Sequence, residues 1–248
     1  MNKYISVLML HIRSTFYKIL LLFACLFGIE IFLLNRRWNI LTAGNAVDPV
    51  FSMSLNALID ESKIHLVFLA AFLFITVILT LNGFEFKEKI NYTIRRLTIT
   101  EKQYYFIHGF YNSMAYLLLF LVQLMIITAF SLYYAKMAPD TFYSNQTLFL
   151  TFYSNDFLHS LLPLEETVRV VRNIILIFTF GYTTAYQSYT QRRGKKQWML
   201  LPFSFLTILN FKSALGTFIG DAFLICVCVI IWLIIGYNLR KGGDGYED

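Results

Sequence analysis

The stretch Phe84–Gln103 reads FEFKEKINYTIRRLTITEKQ, and it interrupts a chain that is otherwise strongly apolar. It carries three carboxylates and five basic side chains: Glu85, Glu88, Glu101, Lys87, Lys89, Arg95, Arg96 and Lys102. Long apolar runs lie on both sides of it. We predict that these runs cross a membrane and that the segment 85–102, named the polar island here, lies at the inner face of that membrane.

The composition of the whole chain is typical of an integral membrane protein. Of its 248 residues, 57% are hydrophobic and only 15% are charged, whereas a soluble domain is about 25% charged. Apolar runs of about 20 residues match the roughly 30 Å hydrocarbon core of a bilayer, because a helix rises about 1.5 Å per residue. The sequence therefore predicts an all-α membrane protein.

Six apolar runs are assigned as transmembrane helices of a single domain that covers residues 1–248. They are residues 17–34, 64–83, 107–132, 168–189, 198–211 and 222–238. The fifth run is short and contains Pro202, which bends a helix because it removes a backbone hydrogen bond. Before the first span, residues 1–15 show apolar groups at helical spacing, which predicts an amphipathic helix lying on the inner leaflet.

The basic residues predict the orientation of these spans. With both termini inside, fourteen Lys and Arg residues fall in inner segments and seven fall in outer loops. Cytoplasmic loops of membrane proteins carry such an excess of Lys and Arg. The net charge of +6 is therefore explained by topology, without nucleic acid. We expect a multi-pass protein of the cell membrane with both termini in the cytoplasm.

Two polar residues inside the predicted spans carry separate expectations. Glu30 lies toward the outer end of the first span, and a carboxylate there must face protein or water. It either lines a substrate path or, as its non-central position favours, reaches the outer interface or pairs with Arg36 or Arg37. Gln123 in the third span is expected to form a hydrogen bond between helices.

The fourth span carries a polar stripe that is a second candidate for a substrate path. Its members follow the spacing i, i+3, i+4 and i+7, so they share one face of a helix. They are Thr179, Tyr182, Thr183 and Tyr186. The stripe either lines a conduit or meets a partner subunit, or it bonds neighbouring helices of the same chain. The sequence leaves both possibilities open.

The largest outer loop, residues 133–166, is aromatic and contains a direct repeat. The sequence TFYSN occurs at Thr141–Asn145 and again at Thr151–Asn155. Two segments that hold Tyr and Phe at the depth of the lipid headgroups explain this repeat. A lid or a binding surface for an apolar substrate is the alternative.

No motif predicts catalysis or metal binding. Gly194-Lys195-Lys196 lacks the remainder of a phosphate-binding loop, and Cys226 and Cys228 point to different sides of a helix. Glu165-Glu166 resembles the paired glutamates of CAAX-type membrane proteases, but the following Arg is one residue too close and no histidine pair follows. We therefore expect no catalytic residues, no metal and no cofactor in this chain.

The polar island resembles the inner loop of ABC-2-type ABC transporter permeases. Glu85 stands where a Glu ends the second span of that family, and Thr93-Ile94-Arg95-Arg96-Leu97 resembles the short helix that follows it. The six-span layout, the cytoplasmic termini and the amphipathic N-terminal helix are also similar. Tyr92 and Thr98 replace a Gly and a frequent Pro, and the large outer loop follows the third span instead of the fifth. These departures indicate a divergent branch.

The resemblance implies a permease subunit of an ATP-driven exporter, with a cytoplasmic coupling helix between spans two and three. The residues that it places against a separate ABC ATPase subunit are Tyr92, Thr93, Ile94, Arg95, Arg96, Leu97, Thr98 and Glu101. It also implies a second permease chain, identical or homologous, and ATP and Mg²⁺ bound by the partner. The implied substrate is a lipid, peptide or drug-like molecule, and the size and span count are similar to permeases of lantibiotic immunity.

Two alternatives stand beside these implications. The polar island is also explained as a basic inner loop that sets the topology and meets anionic lipid. The chain as a whole is also consistent with a non-transporting membrane sensor, immunity factor or scaffold. In that case the outer aromatic loop is the functional region.

Overall fold

The computed structural model describes residues 3–42, 54–85, 100–137, 146–194, 197–212 and 218–241. Helices account for nearly all of these residues, and no strand occurs among them, which confirms the all-α prediction. The helices are α1 (Lys3–Thr42), α2 (Leu55–Glu61), α3 (Ile64–Glu85), α4 (Glu101–Met137), α5 (Thr147–Ser154), α6 (Asp156–Leu161), α7 (Thr167–Arg192), α8 (Leu200–Phe211) and α9 (Phe218–Lys241).

Four of these helices, α1, α3, α4 and α9, are long and apolar enough to cross a membrane. Large apolar side chains on them remain exposed, among them Phe74 at 63% and Leu233 at 67%. Such surfaces are stable in lipid and unfavourable in water. The four helices therefore support the prediction of a membrane protein. The remaining two predicted spans correspond to α7, which is less apolar, and to α8, which has only 12 residues.

Helix α1 runs from Lys3 to Thr42 without a break, so the separate amphipathic helix predicted over residues 1–15 is not a separate element. Residues 3–27 contain neither Pro nor Gly, so nothing in the sequence interrupts the helix. A different face of its first turns packs on α4: the His11 ring stacks on His108 with 4.2 Å between centroids, and the hydroxyls of Thr15 and Tyr111 are hydrogen-bonded. Apolar side chains of the predicted amphipathic face remain exposed, among them Ile5, Met9 and Phe16.

Helices α1 and α4 lie side by side and run in the same direction, because residue numbers rise together along their contacts. The contacts along the pair are His11–His108, Glu30–Gln123 and Trp38–Tyr134. At about 1.5 Å per residue, the 40 residues of α1 span about 60 Å. The hydrocarbon core is about 30 Å thick, so α1 is about twice as long as a membrane crossing requires.

The other long helices alternate in direction around this pair, and their ends therefore gather at two ends of the bundle. Two contacts for each pair of helices set these directions: Phe68–Phe120 and Phe72–Tyr116, Tyr105–Tyr186 and Asn112–Thr184, Arg172–Phe211 and Phe180–Phe203, and Arg169–Asp221 and Thr179–Trp232. The N-terminal end holds the starts of α1, α4 and α8 and the ends of α3, α7 and α9. The opposite end holds the short helices α2, α5 and α6, which pack over the bundle through Phe157 and Phe68.

Helices α4 and α7 approach each other closely because small residues face each other at the crossing. A Cβ atom added to Gly181 of α7 would lie 2.5 Å from the backbone N of Ser113 in α4. Gly109, one turn earlier in α4, faces the ring of Tyr182. Asn112 Nδ2 also donates to Thr184 Oγ1 at 2.9 Å. Small residues and interhelical hydrogen bonds of this kind drive helix association in lipid, where the hydrophobic effect between helices is absent.

A capping box fixes the point at which the polar island ends and α4 begins. The backbone N of Gln103 donates to Thr100 Oγ1, and the backbone N of Thr100 donates to Gln103 Oε1, both at 3.3 Å. These reciprocal bonds satisfy two of the free N–H groups at a helix start. The island is therefore joined at both sides to long helices, to α3 at Glu85 and to α4 at Glu101. Its residues 86–99 lie outside the described residues.

Candidate functional site

Of the eight predicted contacts with an ATPase subunit, the structure describes one, which lies at the N-terminal end of the bundle. Seven of the eight, residues 92–98, lie outside the described residues. Glu101, the eighth, is the first residue of α4 and accepts hydrogen bonds from Arg193 Nη2 at 2.6 Å and Nε at 3.2 Å. The Arg193 guanidinium also lies 4.5 Å from the centroid of the Tyr189 ring. The start of α4 is thus bonded to the residue that follows α7.

The Glu101–Arg193 ion pair positions the start of α4 against the residue that follows α7, and it adds little to stability. The side chain of Glu101 is 57% exposed and that of Arg193 is 25% exposed. An exposed pair of this kind contributes at most about 1 kcal/mol to stability. It nevertheless fixes Glu101, near the end of the polar island, against the residue that follows α7.

A groove of about 500 Å³ opens at the same end, between α3, the end of α7 and the start of α8. Its apolar lining residues are Leu73, Val77, Leu81, Trp198, Leu200 and Leu201, and its polar lining residues are Thr76, Thr80, Gln187, Gln191, Gln197 and Ser204, with Gly194 at the rim. Its volume lies within the roughly 300–1,000 Å³ of sites for small ligands. No Asp, Glu, Lys or Arg occurs among these described lining residues. We name it the α3–α7–α8 groove.

The predicted polar stripe of α7 does not line this groove. Thr179 Oγ1 accepts a hydrogen bond from Trp232 Nε1 of α9 at 3.0 Å and donates to the carbonyl of its own helix. Thr183 also donates within its helix, the Tyr182 ring lies 5.0 Å from Trp232, and Tyr186 lies 6.3 Å from Tyr105 of α4. In this structure Thr179 bonds α9 of the same chain, the rings of Tyr182 and Tyr186 contact α9 and α4, and Thr183 donates to its own helix. The role of the stripe in a substrate path stays a prediction.

Glu30 is enclosed between α1 and α4 and is fully buried. Gln123 Nε2 donates to Glu30 Oε2 at 3.0 Å, which confirms Gln123 as a hydrogen bond between helices. The expectation that Glu30 reaches the outer interface or pairs with Arg36 or Arg37 is wrong. The reason is the length of α1, which continues to Thr42, about 18 Å beyond Glu30. Arg37 instead pairs with Glu61 of α2.

We expect the substitution Gln123→Leu to lower the free energy of unfolding by about 1–3 kcal/mol, because it leaves a buried carboxyl without its donor. The double variant Glu30→Leu/Gln123→Leu removes both polar groups and is expected to recover most of that loss. Unfolding of the purified protein in mixed micelles measures both. A double variant as unstable as the single one contradicts a specific pair and indicates a packing defect.

A buried ion cluster at the opposite end was not predicted. It contains Arg169 and Arg172 of α7 and Asp221 of α9, each at most 2% exposed. Arg169 Nε lies 3.2 Å from Asp221 Oδ2 and 2.9 Å from Glu166 Oε2, and Arg172 pairs with Asp221 Oδ1. Arg172 Nη2 also donates to the carbonyl of Ser160 at 3.1 Å. The cluster therefore ties the starts of α7 and α9 to α6.

The sequence contained a signal for this cluster. Arg169 and Arg172 are three residues apart at the start of a predicted span, so they share one face of the helix. Their assignment to an outer loop treated them as solvated charges. The structure shows that four of the seven basic residues assigned to the outer side have carboxylate partners. The pairs are Arg37–Glu61, Lys212–Asp60, Arg169–Asp221 and Arg172–Asp221.

His159 of α6 is fully buried beside the cluster, and neither ring nitrogen has a hydrogen-bond partner among the described residues. Its Nε2 lies 4.0 Å from Glu166 Oε1. Burial, with the nearby Arg169 guanidinium, holds the pKa of His159 below its usual 6.5, while the carboxylates of Glu166, Glu165 and Asp156 act in the opposite direction.

This lowered pKa predicts a loss of stability in acid. As the pH falls below about 6.5, the unfolded chain takes up a proton at His159 that the folded chain binds less well. The stabilisation is present above that pH and is lost as the pH falls through the lower pKa of the folded state. We expect the melting temperature to fall from pH 7 to pH 5, and to fall less in His159→Phe. Parallel pH profiles of the two proteins contradict this prediction.

Comparisons with known proteins assign no function to the candidate sites. No protein-family model matches the chain, and neither curated proteins nor solved structures give a match. Within the described part of the chain, no group of three or more His, Cys, Asp or Glu side chains is placed to hold a metal ion. The sites that remain are the N-terminal end with its groove, the Glu30–Gln123 pair and the buried ion cluster.

Proposed function

We propose that this chain is the permease subunit of an ATP-driven exporter of the ABC-2 type. It has six membrane spans, α1, α3, α4, α7, α8 and α9, and both termini lie in the cytoplasm. A separate ABC ATPase subunit docks on the polar island and binds ATP and Mg²⁺. A second permease chain, identical or homologous, completes the path, and the substrate is a lipid, a peptide or a drug-like molecule.

The bonding of α7 supports its place among the spans. Its low hydropathy comes largely from hydroxyl and amide side chains, and the hydroxyls of Thr179, Thr183, Thr184 and Ser188 donate to carbonyls one turn earlier in the same helix. A hydroxyl that is bonded in this way costs little when it is removed from water. The same helix is covered on two sides by α4 and α9, so its polar face does not meet lipid.

The charge pattern supports the proposed orientation. Four of the seven basic residues at the proposed outer side are paired with Asp60, Glu61 or Asp221. The larger share of the basic residues belongs to the inner side of the predicted topology, where the sequence places fourteen Lys and Arg residues. This is the distribution that keeps a segment in the cytoplasm.

The observation that carries the proposal is the connection of the polar island to the closely packed helices α4 and α7. The island leads directly into α4, and Glu101 bonds it to Arg193 after α7. The Gly181–Ser113 crossing then holds α4 and α7 together inside the bundle. A displacement of the island by an ATPase subunit therefore moves α4 and α7 as one body. A conformational change of the ATPase subunit can shift the permease between two conformations only through a contact whose free energy differs between them. The polar island is proposed as that contact.

Copurification tests the proposal. We expect an ABC ATPase subunit to copurify with the tagged full-length chain from membranes of its own host. Recovery is expected to fall at least tenfold in the variant Arg95→Glu/Arg96→Glu, because reversing charges that meet a partner costs several kcal/mol. The matched control is Arg240→Glu/Lys241→Glu, which makes the same change of charge at the end of α9 and is expected to retain the subunit.

Two outcomes contradict the proposal in different ways. Equal recovery with both double variants means that the island is not the contact. If no ATPase subunit accompanies the unaltered chain, the non-transporting sensor, immunity factor or scaffold becomes the better explanation.

A further inference from the structure

We infer that the α3–α7–α8 groove is a binding site for an uncharged, single-chain amphiphile whose headgroup donates hydrogen bonds from hydroxyls. Its volume of about 500 Å³ suits one small molecule. The inference does not rest on transport, because the groove is complete within one chain. It concerns what this surface binds, whether that molecule is carried or only held.

The polar wall of the groove offers mainly hydrogen-bond acceptors. The hydroxyls of Thr76, Thr80 and Ser204 already donate to carbonyls of their own helices, at 2.7, 2.9 and 2.8 Å. Each hydroxyl has one proton, so these oxygens can only accept further hydrogen bonds, and the Thr76 oxygen is also bonded to the Tyr116 hydroxyl at 2.8 Å. The amide of Gln187 donates one of its two N–H groups to the carbonyl of Gln197 at 2.9 Å. A ligand that complements the hydroxyls of this wall must supply the donors.

Gln191 gives the most direct indication of a ligand. Its Oε1 is buried and has no hydrogen-bond partner among the described residues. Leaving such an acceptor unsatisfied costs about 1–3 kcal/mol, and native structures retain few of them. The atom belongs to a residue that lines the groove. A hydroxyl of a bound molecule is the donor that this oxygen lacks.

The absence of charged groups from the described lining selects an uncharged headgroup. None of the described lining side chains could pair with an ammonium or a phosphate in this groove, and an unpaired charge away from water is costly. Hydroxyls provide donors without charge, so a glycerol or sugar headgroup fits this wall better than an amine.

The apolar wall accounts for the chain of the amphiphile. Leu73, Val77 and Leu81 of α3 face Leu200 and Leu201 of α8 across the groove. Trp198 stands at the rim with 69% of its surface exposed, and Trp is enriched where a membrane meets water. An acyl chain can therefore enter from the lipid between α3 and α8 while its headgroup meets the polar residues.

A second groove in the same chain provides a comparison. It lies between α1 and α4, has a volume of about 420 Å³ and is lined almost wholly by apolar side chains. Acyl chains of bulk lipid can cover the apolar lining of this α1–α4 groove without any polar contact. The two grooves are similar in size and differ in their lining residues. Any acyl chain therefore suits the α1–α4 groove, whereas the α3–α7–α8 groove selects a headgroup.

Fluorescence quenching of Trp198 tests the inference on the purified full-length chain in phosphatidylcholine nanodiscs. The background variant Trp38→Phe/Trp232→Phe leaves Trp198 as the reporter. The probe is a monoacylglycerol with a 9,10-dibrominated stearoyl chain, and the comparison probe is the methyl ester of the same fatty acid, which has no hydroxyl. We expect the monoacylglycerol to quench Trp198 saturably at a few mole per cent, and the ester to quench it weakly and without saturation.

Gln191→Leu in this background is expected to raise the half-saturating mole fraction of the monoacylglycerol at least fivefold. The matched control is Gln146→Leu, at a residue of the opposite end whose side chain makes no capping bond; it is expected to leave the titration unchanged. Circular dichroism verifies that both variants fold. Equal quenching by the two probes, or an unchanged titration in Gln191→Leu, overturns the inference. Neither result bears on ATPase binding, which is measured separately.

Discussion

The substitution Gly181→Ala is expected to lower the free energy of unfolding by about 3 kcal/mol, at the upper part of the usual range for overpacking. The added Cβ would lie 2.5 Å from the backbone N and 2.7 Å from the Cα of Ser113. A flexible side chain could turn away from such a contact, but the obstacle here is backbone. Relief therefore requires that α4 and α7 move apart along the crossing on which the bundle depends.

Gly236→Ala is the matched control for this prediction. Gly236 also lies inside a long helix, and an added Cβ there meets nothing within 4 Å. In a helix interior, alanine is more favourable than glycine by about 1 kcal/mol. The same chemical change is thus expected to destabilise at position 181 and to leave position 236 unchanged or slightly more stable. Unfolding in mixed micelles distinguishes the two signs, and equal effects would contradict the close approach of α4 and α7.

The second large effect is expected for Asp221→Asn, which removes the charge of the carboxylate and keeps its shape. Arg169 and Arg172 would then be buried, with Glu166 as the remaining carboxylate beside Arg169. Removing one partner of a buried ion pair costs about 3–5 kcal/mol, because the other charge stays buried without compensation. We therefore expect a loss of this size in the free energy of unfolding.

Asp60→Asn serves as the control for Asp221→Asn. Asp60 Oδ1 lies 3.8 Å from Lys212 Nζ, and both side chains are more than a third exposed. Pairs of this kind contribute about 0–1 kcal/mol. The same change of side chain is thus expected to have a large effect at position 221 and almost none at position 60. A small effect at both positions would mean that water reaches the cluster of Arg169 and Arg172.

The long apolar helices were predictable from the sequence because hydrophobicity over 20 residues is a strong local signal. Five of the six predicted runs fall wholly inside helices, the run 198–211 begins two residues before α8, and Gln123 was correctly assigned to a contact between helices. The boundaries were less predictable. Residues 1–15 show the pattern of a surface helix, and only the packing of His11 and Thr15 on α4 reveals that they extend α1.

The partners of polar residues were the least predictable feature, because they depend on how distant helices meet. Glu30 is bonded to Gln123, which is 93 residues away, and Arg169 pairs with Asp221, 52 residues away. Sequence position suggested local partners or solvent for each of these charges. The α3–α7–α8 groove was missed for the same reason: its lining comes from three helices, and Gln187, Gln191 and Gln197 form no recognisable motif.

The pairing of Glu30 with Gln123 also sets a delay during synthesis of the chain. The two residues are 93 positions apart, and ribosomes add about 5–20 residues per second. Roughly 5–20 seconds therefore separate the emergence of the carboxyl from that of its amide partner. During that interval the first helix holds an acidic group for which the bilayer provides no partner. Final insertion of α1 is thus coupled to the synthesis of α4. In a nascent chain arrested before Gln123 is made, Glu30 of the first helix lacks its hydrogen-bond donor.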